Sequence, residues 1–298
     1  MDTEPTQDAT ENGSKKKKRM IKGGTLLMIS ALVVLGAYYI SLGVIKHRKA
    51  ESVRTSEAAD TATNKDKQVM KTSDADTAFD VSYLMGRFTT SKHPDFTSVD
   101  LKHGNREGLY LRFDTYEAFI RMYDAAMKDG VKLTIISAAR SFDYQKSIWE
   151  AKWSGKRLVN GRNLALTISD PVERAREILT YSSMPGTSRH HWGTDLDLNS
   201  MDPKYYETEA GKKIYQWLKT NAGTYGFCQP YCAKGEGRST GYEEEKWHWS
   251  YLPVSVKCTK AYAEKVTYGD ISGFSGSAGA EQLRVIEDYV LGINTACK

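Results

Sequence analysis

The longest apolar run in the chain, from Gly23 to Ile45 (GGTLLMISALVVLGAYYISLGVI), contains no charged residue. It is long enough to cross the hydrocarbon layer of a bilayer as a helix. A cleaved signal peptide is the competing reading. The run outlasts the usual apolar core of about 7–15 residues, and no small-x-small cleavage site follows it, which favours an uncleaved anchor. Residues 1–22 are polar and charged, which predicts a disordered tail. Residues 46–78 are rich in Lys, Glu, Asp, Thr, Ser and Ala and predict a flexible or partly helical stalk. Helical and strand periodicities predict a folded domain over 79–298. Asp114 reads as the N-cap of a helix running to about Lys128, with Phe119, Met122, Tyr123 and Ala126 on one face and Gly130 closing it. Further helices are expected over Phe142 to Trp153, from a Ser169 or Asp170 cap with Pro171 at the first position, over about Glu207 to Thr220, and over about Ala280 to Leu291, ending at Gly292. Short strands are expected at Leu133 to Ala138, Thr194 to Leu198 and Lys246 to Tyr251. Helices packed on a small sheet make an α+β domain.

Composition adds little to this pattern but excludes some functions. With 298 residues and 40% apolar content, one substantial domain with appendages is expected. The net charge of +5 is small, and much of it sits beside the apolar run, so nucleic acid is a poor partner for this chain. Lys15 to Arg19 precede the span, whereas only Lys46, Arg48 and Lys49 follow it closely. The positive-inside rule then favours a cytoplasmic N-terminus and a domain outside the cytoplasm. All four cysteines (Cys228, Cys232, Cys258, Cys297) lie after the span, an even count that suits two disulfides in an oxidising compartment. The expected pairs are Cys228–Cys232 and Cys258–Cys297. A structural metal site and free buried thiols are the rival readings.

Two segments carry candidate chemistry. Ser188-Arg-His-His-Trp-Gly-Thr-Asp-Leu-Asp197 places an imidazole and a carboxylate on either side of a glycine that permits a tight turn. If a strand follows, Asp195 and Asp197 project to the same side, so the residues alone leave either as a metal ligand. His191 beside His190 leaves a similar choice of imidazole. Glu245-Lys-Trp-His-Trp-Ser-Tyr251 adds His248 and a carboxylate three positions before it. Three nitrogen or oxygen ligands with a fourth position left to water are the pattern of a catalytic zinc site. His47, His93 and His103 stay unassigned, and Trp192, Trp247 and Trp249 read as packing walls.

Together, S-x-H-x-x-G-x-x-x-D and E-x-W-H-x-x-Y resemble the LAS metallopeptidases, most closely their VanY-type carboxypeptidase branch. A third block, Ser137-Ala-Ala-Arg140-Ser-x-x-x-Gln145, resembles that branch's S-x-x-R-S-x-x-x-Q signature. The blocks stand in the family's order. The resemblance implies an LAS/hedgehog-like fold with a mainly antiparallel sheet, and Zn2+ held by His190, Asp197 and His248. Glu245 would be the general base, Arg140 the partner of the developing oxyanion, and Gln145 and Ser188 would line the substrate site. Position 195 is usually small in this motif, so Asp195 is a departure that would support a ligand or reshape the pocket.

The expectation is a zinc-dependent, monomeric carboxypeptidase that removes the terminal D-alanine of peptidoglycan stem peptides outside the cytoplasmic membrane. An L,D-carboxypeptidase, a D-Ala-D-Ala dipeptidase and an endopeptidase of the same family are the near alternatives. A zinc-stabilised cell-wall binding domain is the alternative from another class. A serine-type carboxypeptidase is disfavoured, because its S-x-x-K motif occurs here only at Ser14 to Lys17, in the tail.

Overall fold

The computed structural model describes residues 79–298. The expected tail, membrane span and stalk all lie outside these residues. Among the described residues no helix is long and apolar enough to cross a membrane.

The elements, in chain order, are α1 (Val81–Leu84), β1 (Phe96–Ser98), β2 (Tyr110–Arg112), α2 (Phe113–Lys128), β3 (Ile135–Ser137), α3 (Phe142–Trp153) and α4 (Leu164–Thr167). They are followed by α5 (Pro171–Ile178), β4 (Asp195–Leu198), α6 (Glu209–Asn221), β5 (Phe227–Cys228), β6 (His248–Tyr251) and α7 (Leu252–Lys265). Strands β3, β4, β6 and β5 lie side by side in that order, all antiparallel. A separate hairpin joins β1 to β2. The architecture is α+β with small antiparallel sheets.

Caps explain where the helices begin. Ser141 Oγ accepts from the Tyr144 amide at the start of α3, and Asp170 Oδ1 accepts from the Glu173 amide at the start of α5, where Pro171 gives up no hydrogen bond. Thr208 does the same for α6 through the Gly211 amide. Asp114 is not a cap: α2 starts one residue before it, with Arg112 as the boundary, and its carboxylate sits in the acidic first turn, accepting from the Thr115 amide at 2.7 Å.

The helix expected over Ala280 to Leu291 is replaced by a 3-10 turn at Ser277–Gly279 and a π-helical stretch at Val285–Val290, separated by Arg284 at φ 51°. Ala280, Leu283 and Val290 would share one face of a continuous helix, but the buried Val285 would fall on the opposite side, and the break lets it be buried with them. Helix α7 has no counterpart in the expected elements. Its inner face is Val254, Ser255, Cys258 and Tyr262, a stripe in which two members are not plainly apolar.

Two cores flank the main sheet. One packs Leu111, Phe119, Met122, Ile135, Leu196, Leu198, Leu218, Phe227 and Trp249 between the sheet and helices α2 and α6. The other gathers Leu84, Trp149, Ile178, Trp192, Tyr231, Cys258, Tyr262 and the C-terminal apolar residues. In β4 the alternation Asp195-Leu196-Asp197-Leu198 sends its leucines into the first core and its carboxylates to the opposite face.

Cysteine pairing differs from expectation. The disulfide joins Cys228 to Cys297 across 69 residues, and Cys232 and Cys258 are free and buried. Cys258 is held on the inner face of α7, within the core. The chain after β5 is instead bound to the C-terminal segment, where the Asn294 amide donates to the Pro230 carbonyl at 2.8 Å. That contact brings Cys297 to the sheet edge at Cys228.

Candidate metal centre

The polar face of the sheet assembles the centre from two neighbouring strands and one turn. Asp197 of β4 stands directly opposite His248 of β6, and Asp195 directly opposite Ser250. Cross-strand partners on one face have their side chains within reach of each other. His190 enters from the 3-10 turn Arg189–Trp192, which ends at Gly193 with φ 71°. A side chain at Gly193 would also collide with the Phe96 ring, so both backbone and space require glycine there.

Asp197 Oδ1 lies 3.3 Å from His190 Nε2 and 3.6 Å from His248 Nδ1. Zinc bonds of about 2.0–2.1 Å at tetrahedral angles set donors roughly 3.4 Å apart, so these separations suit one ion. The three donor atoms lie within 4.8 Å of one another, and all three residues are buried. His190 Nε2 and Asp197 Oδ1 have no hydrogen-bond partner within the protein, although both are sealed from solvent. Buried polar atoms left without partners are costly unless something else satisfies them. A cation between them would satisfy both, and two imidazoles with one carboxylate form a donor set that fits zinc.

The outer nitrogen of each imidazole is also occupied. His190 Nδ1 lies 2.9 Å from the Ala138 carbonyl, which leaves Nε2 as the donor atom. His248 Nε2 lies 2.8 Å from Asp195 Oδ2, leaving Nδ1 between Glu245 Oε2 at 2.9 Å and Asp197 Oδ1 at 3.6 Å. His191 is different. Its Nε2 accepts from the Gly186 amide at 3.1 Å and its Nδ1 donates to the Arg140 carbonyl at 2.6 Å, so backbone groups hold both nitrogens, and the ring is not among those whose donor atoms converge with Asp197. Burial pulls its pKa down to about 3, and it stays neutral. Of the two neighbouring imidazoles, His190 is the one that converges with Asp197 and His248.

Glu245 is buried, and its Oε2 lies 2.9 Å from His248 Nδ1. Burial raises its pKa, against the pull of His248. Burial also acts to raise the Asp197 carboxyl, but His190, His248 and Arg140 together hold it well below the usual range. Arg140 follows β3, with Nη2 at 3.6 Å from Asp197 Oδ2 and Nη1 donating to Gln145 Oε1 at 2.9 Å. Gln145 is fully buried on α3 and donates to the Ser183 carbonyl, which fixes the guanidinium's outer edge. Ser188 is buried at the start of the turn, and its carbonyl accepts from the His191 amide at 3.0 Å. The tryptophans pack: Trp192 Nε1 donates to the Leu84 carbonyl, Trp249 lies in the first core, and Trp247 stands beside Tyr206 and Tyr181.

Residues behind the donors complete the surroundings. Arg189, Asp195, Ser250 and Thr259 form a buried polar cluster behind His248. Asp195 is the member the sequence flags, as the departure expected to support a ligand or reshape the pocket, and it supports His248; Arg189, Ser250 and Thr259 are not assigned by the sequence.

Residues 108–254 match the family model described as VanY, D-alanyl-D-alanine carboxypeptidase. A putative carboxypeptidase, YodJ, of Bacillus subtilis is 32% identical over 147 residues, covering 48% of this chain and 46% of that protein. A D-alanyl-D-alanine carboxypeptidase of Enterococcus faecalis is 28% identical over 161 residues, covering 53% of each. The chain thus spans about half the length of these curated relatives. Among solved structures, VanYB in complex with D-alanine-D-alanine aligns with a TM-score of 0.43 at 22% identity, over 59% of this chain and 87% of that one. The LD-carboxypeptidase LdcB aligns with a TM-score of 0.42 at 26% identity, over 59% and 79%. The matched segment, residues 108–254, which contains His190, Asp197, His248, Glu245 and Arg140, is thus a domain of the VanY-like family of LAS-type zinc peptidases.

Proposed function

We propose that the chain is a zinc-dependent carboxypeptidase that hydrolyses the terminal D-alanine of peptidoglycan stem peptides. The observation that carries this reading is the convergence of three metal donors, a buried carboxylate at Glu245 and a guanidinium at Arg140 on one sheet face. Zinc held by His190, Asp197 and His248 supplies a Lewis acid and makes a water more acidic. The remaining work falls to the protein. Glu245 Oε2 takes the proton of the attacking water as its oxygen bonds to the scissile carbonyl carbon. It returns that proton to the amide nitrogen as the C–N bond breaks, releasing D-alanine and a shortened stem. Its raised pKa suits a group that must both accept and donate. Arg140, held by Gln145, faces the charge that develops on the carbonyl oxygen. Ser188 and Gln145 line the substrate side.

A purely recognitive zinc domain needs neither a base nor an oxyanion partner, so Glu245 and Arg140 favour catalysis over that alternative. The apolar run at Gly23 to Ile45 and the Cys228–Cys297 disulfide support a membrane-anchored enzyme acting outside the cytoplasm. The discriminating variant is Glu245→Ala. It is expected to retain stoichiometric zinc while losing at least about a hundredfold in turnover of a D-Ala-D-Ala-terminated pentapeptide, the range for loss of a general base. Undiminished turnover would rule out this mechanism.

A further inference from the structure

The position after Thr194 holds a carboxylate with no vacancy left on it. Asp195 Oδ2 receives Arg189 Nε at 3.1 Å and lies 2.8 Å from His248 Nε2. Asp195 Oδ1 accepts from the Thr194 hydroxyl and the Ser250 hydroxyl, both at 2.7 Å. The guanidinium is equally committed, donating through Nη1 to Thr259 Oγ1 at 2.8 Å and through Nη2 to Ser250 Oγ at 3.0 Å. Arg189 also lies over the Trp192 ring at 4.5 Å. Both charged side chains are wholly shut off from solvent. A buried ion pair is weak ground for stability, since apolar residues of similar size often do as well or better. Its use must lie in what it orients, and it touches one group of the metal centre, His248.

We propose that Arg189 and Asp195 form a positioning pair that presents His248 to the metal through Nδ1. Asp195 accepts the Nε2 proton and so fixes both the tautomer and the ring plane, while Arg189 fixes the carboxylate. His190 has only a neutral carbonyl, that of Ala138, in the equivalent place. The two imidazoles are therefore unequal, and the carboxylate-backed His248 is the stronger donor. This inference rests on the zinc reading above, and its test separates the two.

The experiment is a zinc titration of the metal-free full chain against a chromophoric competitor, together with the visible spectrum of its cobalt form. Asp195→Ala is expected to weaken zinc about 10–100-fold and to shift the cobalt bands, the scale known for partners of metal-bound histidines. Asp195→Asn keeps an acceptor for Nε2 but not its charge and should recover only part of that affinity. Because Asp195→Ala leaves a buried guanidinium unpaired, the double variant Arg189→Met, Asp195→Ala restores an uncharged interior. It should regain thermal stability while zinc stays weak. Wild-type affinity in the folded double variant or in Asp195→Ala overturns the positioning role alone. A wild-type chain that binds no zinc, or a His190→Ala variant that binds it as tightly as wild type, overturns the zinc reading and this inference with it.

Discussion

Ionisable groups in this domain are buried with unequal compensation, and Lys152 shows the consequence most simply. Its ammonium, bonded to the Ser182 hydroxyl, is pulled down to about 8 by burial, with Arg157 and Arg140 adding to the fall. Between that value and the usual lysine pKa of about 10.4, the unfolded chain holds a proton that the folded chain has released. Stability from this group therefore rises with pH across that window, and the burial cost is felt in full below it. Lys152→Met is expected to be more stable than wild type near pH 7. That advantage should shrink as pH climbs from about 8 toward 10.4, as denaturant titrations at a series of pH values would show. A constant difference across that range would mean that Lys152 carries its proton as freely folded as unfolded. His191 and Asp195 teach a related lesson. Sequence motifs list residue types, but which nitrogen or oxygen is free depends on the second partner of each group. For His191 those partners are backbone groups of Gly186 and Arg140, invisible in any pattern of side chains.

At the scale of elements, legibility followed the strength of local signals. Helix α3 begins and ends where Ser141 and the apolar spacing place it, and Asp170-Pro171 opens α5. Strands β4 and β6 were visible as short runs bounded by turns, and their alternation is what puts Asp197 and His248 on one face. Helix α7 was not visible, because Ser255 and Cys258 interrupt its apolar stripe and Pro253 reads as a loop until it is seen in the first turn. The cysteine pairing was not legible either. Proximity in sequence suggested Cys228 with Cys232, whereas the contact of the C-terminal segment with the loop after β5 decides for Cys297. A disulfide closing a loop of 69 residues is worth about 4 kcal/mol in the chain-entropy account. Cys297→Ser is therefore expected to lower stability by roughly 2–5 kcal/mol in denaturant unfolding. Cys232→Ser, which disturbs no disulfide, should cost less. Equal losses in the two variants would argue against the Cys228–Cys297 link.

At the scale of the molecule, the described residues form two apolar cores that flank the main sheet. Rigid packing on both faces suits a centre whose donors must keep their spacing through each turnover. The proposed function requires that His190, Asp197 and His248 hold a zinc ion with which this centre cuts a terminal D-alanine from a peptide. The most direct measurement is D-alanine release from a D-Ala-D-Ala-terminated pentapeptide by the full chain, with products weighed by mass spectrometry, before and after chelation and after zinc is returned. The expected result is a tetrapeptide and one free D-alanine per turnover, activity lost on chelation, and activity recovered with stoichiometric zinc. Unchanged release from thoroughly metal-stripped protein would contradict it.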